Sequence, residues 1–241
     1  MKNLFKLTIL SCLLIFASSC KKDKDDEIVD PTTPLTFTGP NTNASNLTVR
    51  VIYVVPSDKM LKQAYVDAAK NCISQLTSWY KGALGSNKTF HVNANFVVET
   101  IHSSHNAAWF NANNGASSGS NADFYFYQNA KNDVKALLGA SYDETKYIYL
   151  VYVDAQGKTG AGALGFTAMP ENDLLGLTGQ MSEAVPRWIG GAGHELGHAF
   201  GMPHPDNQNP NALMWTGYTL YPNCILQDAD KAILNANKFF Y

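Results

Sequence analysis

The stretch GAGHELGHAFGMPHP, residues 191–205, places three of the chain's six histidines and a glutamate between positions 194 and 204. Such a density is either a metal site with a base beside it or a helix end rich in histidine. His194 and His198 stand four apart. On a helix that leaves them roughly 40° apart around the axis and one turn along it, so both rings reach one point. Zinc takes nitrogen ligands of this kind at about 2.0–2.1 Å. Glu195, adjacent to the first ligand, is placed to hold a water at an open coordination position. A straight helix would swing His204 away from such an ion, so the chain must turn at Gly201, the residue type that accepts φ > 0 without cost. Pro203 and Pro205 keep the helix from resuming. Spacing, glycine and prolines serve one geometry: a metal held by His194, His198 and His204, with Glu195 as general base.

Upstream of this helix, which Pro186 opens, the pattern alternates strands and helices. LTVRVIYVV (47–55) is a β-rich apolar run stopped by Pro56. Ser57 and Asp58 can cap a long helix whose apolar positions, from Leu61 through Cys72 to Tyr80, step by three and four until Gly82 or Gly85. FHVNANFVVE (90–99) alternates as a half-buried strand. Residues 103–121 form a loop rich in Ser, Asn and Gly, and a helix follows over Asp123 to Leu138. YIYLVYV (147–153) is a continuous apolar strand suited to the centre of a sheet. ALGFTA (163–168) is a short strand after a Gly-rich turn, and Asp228 to about Phe239 is a terminal helix. No internal repeat is visible.

The whole chain has 241 residues, 45% hydrophobic and 16% charged, with a formal charge of -2. One substantial core fits that length. The slight negative charge offers no footprint for nucleic acid, and a monomer is expected. Lys2 and Lys6 precede an apolar run, Leu7 to Ala17, too short to span a bilayer. Ala17-Ser18-Ser19-Cys20 is similar to the lipobox of bacterial lipoproteins, with Ala17 where leucine is usual. That likeness implies a signal peptide over 1–19, acylation of Cys20, and export. The polar segment 20–46 reads as a tether, and its acidic run resembles signals that send some lipoproteins to the outer face of the outer membrane. The other outcome is plain secretion or a periplasmic protein. Cys72 and Cys224 leave a disulfide open, although Cys72 lies on an apolar helical stripe.

The full pattern HExxHxxGxxH resembles the metzincin clan of zinc metallopeptidases. NALMWTGY supplies Met214 where the clan has a methionine turn beneath the metal, and Leu213-Met214-Trp215 with Tyr218 is loosely similar to matrixins. GAGALGFTAMP resembles the matrixin edge strand that pairs with an extended substrate. The resemblance implies an α+β fold over 47–241, with a twisted mixed sheet, a long backing helix and the active-site helix in an upper subdomain (47–201). A lower subdomain (202–241) would hold the methionine turn and terminal helix. It further implies one zinc ion, structural support from Gly201 and Met214, and substrate contacts from Ala163, Leu164, Gly165, Phe166, Trp215 and Tyr218. Three departures stand out: Gly165 falls where matrixins have a ligand to a second zinc, Pro205 follows the third histidine, and no propeptide cysteine is present.

The implied activity is zinc-dependent endopeptidase hydrolysis. Two competitors are a peptidase restricted to short peptides and a surface lipoprotein that binds through this frame with little catalysis. His91, His102 and His105 lack a second ligand pair and read as solvated or structural. Asp228 and Asp230, at a helix start, read as caps rather than calcium ligands.

Overall fold

The computed structural model describes residues 47–93 and 97–241; the expected signal peptide, Cys20 and the whole tether lie outside them. Its sheet has five strands in the order β2-β1-β3-β5-β4. These are β1 (Thr48–Val55), β2 (Val98–His102), β3 (Tyr147–Val153), β4 (Ala161–Ala163) and β5 (Phe166–Met169). β1, β2, β3 and β5 run parallel, and β4 returns antiparallel along β5. β3 is central and buried along its whole length, as its unbroken apolar run requires. The class is α+β.

Helices cover both faces of the sheet. Val49, Val51, Tyr53, Leu150 and Tyr152 point to one face, against α1 (Gln63–Leu84), α3 (Glu171–Leu177) and α4 (Val185–Ala199). Ile52, Val54, Tyr149, Val151 and Phe166 point to the other, against α2 (Tyr125–Leu138). The last helix, α5 (Asp228–Ala236), is followed by Phe239 and Phe240, and Phe240 packs against Tyr80, Phe90 and Phe200. Cys72 and Cys224 are both free and buried.

Several boundaries differ from those the sequence pattern predicts. α1 begins at Gln63 rather than after Asp58, because the Asp58 carboxylate accepts the backbone N–H of Ala107 and so ties down a loop instead of capping the helix. Phe90 and Val92 make only isolated bridges, to Phe240 and Val49, and the regular strand begins at Val98. The expected loop over 103–121 contains short 3-10 turns at Ala107–Asn111 and Gly115–Ser117. The stretch 163–168 is the hairpin between β4 and β5 rather than one strand, since Gly165 takes a positive φ of 84° at its turn. α3 has no counterpart in the sequence pattern. Asp230 does cap α5, accepting from the Gln227 backbone in a reciprocal pair.

Candidate metal centre

α4 packs its N-terminal half against α3 and the turn at Gly217–Leu220, and its C-terminal half against β4. It carries His194 and His198 on one face. After Phe200 the chain makes a Schellman turn: Met202 N–H donates to the Gly197 carbonyl and Gly201 N–H to the His198 carbonyl, with Gly201 at φ 95°. The turn brings His204 back to the helix.

The three Nε2 atoms lie 3.2 Å (His194–His198), 3.1 Å (His198–His204) and 3.2 Å (His204–His194) apart. Nitrogen ligands about 2.0–2.1 Å from a tetrahedral ion stand roughly 3.3–3.4 Å from one another, so this triangle matches one face of a zinc coordination sphere. The far ring nitrogens are fixed as well. His194 Nδ1 donates to the Leu213 carbonyl (2.7 Å) and His198 Nδ1 to the Met202 carbonyl (2.8 Å). Those bonds leave both Nε2 atoms as acceptors pointing at one spot, the tautomer a metal needs. Burial, outweighing the Leu213 hydrogen bond and helped by the neighbouring histidines, holds His194 down to about 4. Burial likewise lowers His198. Both rings are therefore neutral at pH 7. Among the described residues no other group of three histidine, cysteine or carboxylate side chains converges in this way.

Met214 is fully buried with its sulfur under α4 at Gly197, where a Cβ would overlap it. It supports the helix between the two histidines. Glu195 faces the cleft beside the three histidines. Burial raises its carboxyl to about 7, opposed in part by the backbone N–H of Gly162. β4 is held against α4 so closely that a Cβ at Gly162 would overlap the Glu195 carbonyl oxygen.

The cleft has a volume of about 370 Å³ and includes His194, Glu195, His204, Trp215 and Tyr218 in its walls. Tyr218 stands 5.2 Å from the His194 ring and Trp215 5.6 Å from the His204 ring, centroid to centroid. The other expected substrate residues do not line the cleft, and Ala163 is the last residue of β4. Phe166 is fully buried on the α2 side, edge-on to Tyr127, because alternation along β5 turns it away. Gly165 faces Glu144, and Leu164 is 74% exposed at the hairpin tip beyond Ala163. From this segment the cleft takes Lys158, Thr159 and Gly160 instead. It also takes Asn172, Asp173 and Arg187, which no sequence motif singles out. Only Arg187 left a signal, lying two helical turns before His194 on the same face of one helix. His91 stacks on Tyr241 and His105 on Trp109, away from the centre.

No protein-family model matches the chain, and no curated protein matches its sequence. In shape the chain is similar to wild-type OgpA from Akkermansia muciniphila, with a TM-score of 0.58 and 16% identity over 81% of this chain and 62% of that one. Catalytically inactive OgpA in complex with an O-glycopeptide (glycodrosocin) substrate gives the same TM-score of 0.58 at 16% identity, over 84% of this chain and 65% of that one. This chain thus spans a little under two thirds of the length of OgpA. Archaemetzincin from Methanopyrus kandleri is more distant, with a TM-score of 0.42 and 13% identity over 78% of this chain and 94% of that one. The likeness to OgpA is one of fold.

Proposed function

We propose that this chain is a zinc-dependent peptidase whose ion is held by His194, His198 and His204 and whose general base is Glu195. One observation carries the reading: three imidazoles present their Nε2 atoms 3.1–3.2 Å apart in the wall of a cleft that Glu195 also lines. When bound, zinc supplies a Lewis acid for the scissile carbonyl and lowers the pKa of a water toward about 7. The Glu195 carboxylate takes the proton of the attacking water and hands it to the leaving amine nitrogen. The Leu213 and Met202 carbonyls keep the His194 and His198 rings aimed. Met214 and the turn at Gly201 hold the ligands in register.

β4 lies at the edge of the sheet next to Glu195, and its backbone offers an extended peptide a strand to pair with. This favours an endopeptidase over an enzyme limited to short peptides. Trp215 and Tyr218 supply aromatic wall around the substrate. The fold likeness to OgpA, one structure of which holds an O-glycopeptide, supports a peptide substrate and adds one narrower reading, a peptide that carries a glycan. The N-terminal segment supports export, with 1–19 removed, Cys20 acylated and 20–46 tethering the catalytic domain 47–241 to the membrane.

The test is incubation of the zinc-loaded full chain with a proteome-derived peptide library, with new termini identified by mass spectrometry and Glu195→Gln as control. Internal cleavage that disappears in the control is expected. Cleavage that persists in Glu195→Gln would contradict the role of that residue. No cleavage by protein carrying one zinc would favour the binding lipoprotein.

A further inference from the structure

The cleft beside the histidines contains two charged groups that the hydrolytic step does not use. Asp173, from α3, is 5% exposed and lines the cleft. Its carboxylate takes part in no ion pair among the described residues. Its pKa is pushed up to about 7, by burial first, with Arg187 opposing and Glu195 adding to the rise. Arg187 comes from the first turn of α4. Its guanidinium carbon sits 4.4 Å from the centroid of the Trp188 ring and 5.2 Å from that of Tyr218.

This platform is built by two close approaches. A Cβ at Gly191 would come within 3.0 Å of Arg187 Nη1, so glycine leaves the guanidinium room to lie along the helix. Trp188 lodges over Gly176 of α3, where any Cβ would fall inside the indole. Yet among the described residues the guanidinium finds no carboxylate in contact. Asp173 feels its charge without pairing with it. An acceptor and a five-donor fork therefore face one space, neither satisfied by the other.

Elimination narrows the chemistry of the occupant. Above about pH 7, where Asp173 is ionised, a carboxylate on the ligand would meet Arg187 but also Asp173. An ammonium would meet Asp173 but also Arg187; Lys158, in the same cleft wall, is already paired with Asp123. An alkyl chain would strip water from both groups and return no hydrogen bond. An uncharged group with donor and acceptor side by side satisfies both. The carboxamide of Gln or Asn is one source. A hydroxyl-rich substituent on Ser or Thr is the other, and the aromatic walls and the volume of about 370 Å³ leave space for it.

We propose that Asp173 and Arg187 form the specificity pair of this cleft, selecting an uncharged donor–acceptor group on the substrate residue next to the scissile bond. The proposal rests on the peptidase reading for the statement that the occupant belongs to a peptide.

The test uses the zinc-loaded full chain with Glu195→Gln, titrated by fluorescence anisotropy. The probes are alanine-rich peptides identical except for one residue: Gln, Glu, Lys, Leu, or Thr carrying a single hexosamine. Gln or the glycosylated Thr is expected to bind at least tenfold more tightly than Glu, Lys and Leu, since a site built for hydrogen bonds rejects ligands that leave its groups unpaired. The stronger of the two names the source. Adding Asp173→Asn, which keeps the shape, should reverse the order of Gln and Glu, while Arg187→Gln should abolish the preference for Gln over Lys. An unchanged order in both variants, or a preference for Leu or Glu without them, overturns the proposal. Turnover of the same peptides by protein with Glu195 intact separates the two readings. Cleavage without discrimination keeps the peptidase and removes the pair, and discrimination in binding without cleavage does the reverse. Failure of a folded, zinc-loaded protein to bind any of the peptides would overturn both.

Discussion

Two arginines of this molecule lie against aromatic rings, and they differ in what closes around them. Arg50 is fully buried and donates to both Glu99 carboxylate oxygens, at 2.9 and 2.6 Å, and to the Ser141 carbonyl at 3.0 Å, with the Tyr147 and Tyr149 rings beside it. Arg187 lies against Trp188 and Tyr218 with no carboxylate partner among the described residues, at the edge of a cleft. The first is a sealed polar cluster: its donors are used up inside the fold, and it serves stability. The second is open: its donors face space that a ligand can enter. Asp154 belongs with the sealed groups, held by Lys62 and the Tyr53 hydroxyl, and Asp173 and Glu195 belong with the open ones. Breaking a sealed cluster should therefore cost folding and spare chemistry, and breaking an open one should do the reverse.

The largest effect is expected at Glu195. Glu195→Gln should lower turnover by about 10²–10⁴-fold, the usual contribution of a positioned base, with the thermal midpoint of the zinc-loaded protein unchanged or raised. A fall in stability that matched the fall in activity would place Glu195 among the sealed groups. Next in size is Arg50→Met, which strands the Glu99 carboxylate and should destabilise by about 3–5 kcal/mol in urea titration. Arg50→Met combined with Glu99→Leu should recover much of that loss, and cleavage specificity should be unchanged in the double variant. Equal instability of the single and double variants would show that the pair is not what holds that region.

A smaller effect, with a sign that depends on pH, is expected at Asp173. Its folded pKa, about 7, lies above its ordinary value of 3.8, so the folded state holds a proton that the unfolded chain has released. Below the unfolded value both states are protonated and burial of the group is tolerated. As pH rises from about 4 to 7 the wild type should lose stability, and Asp173→Asn should lack that slope, ending on the order of 4 kcal/mol more stable at pH 8. Parallel stability–pH curves for the two proteins would mean that Asp173 is not buried as a strained acid. The smallest change is Asp230→Ala, which removes one half of the reciprocal cap of α5 and should cost about 1 kcal/mol without touching turnover.

The open centre is legible in the sequence where its geometry is local. Two histidines on one helix, a glycine at the turn and a third histidine just beyond it fix their own relative positions through covalent spacing. The wall of the cleft is not legible in that way, because it is assembled from the segments around Lys158, Asp173, Arg187 and Trp215, which only tertiary packing brings together. The differences in the fold have similar causes. Asp58 has the sequence setting of a helix cap, but its acceptor is engaged by a backbone 49 residues away. ALGFTA reads as one strand because Leu164 is apolar, yet the positive φ at Gly165 folds it into a hairpin and turns Phe166 into the core. β3 is legible as the central strand because a strand buried on both faces cannot alternate.

Whether the three imidazoles hold one zinc ion is best measured by zinc K-edge absorption on the purified full chain. One zinc per chain is expected, with three nitrogen ligands at about 2.0–2.1 Å and one further light ligand, and with binding lost in His204→Ala. A chain that retains no zinc, or that keeps the same spectrum when His204 is replaced, would contradict it.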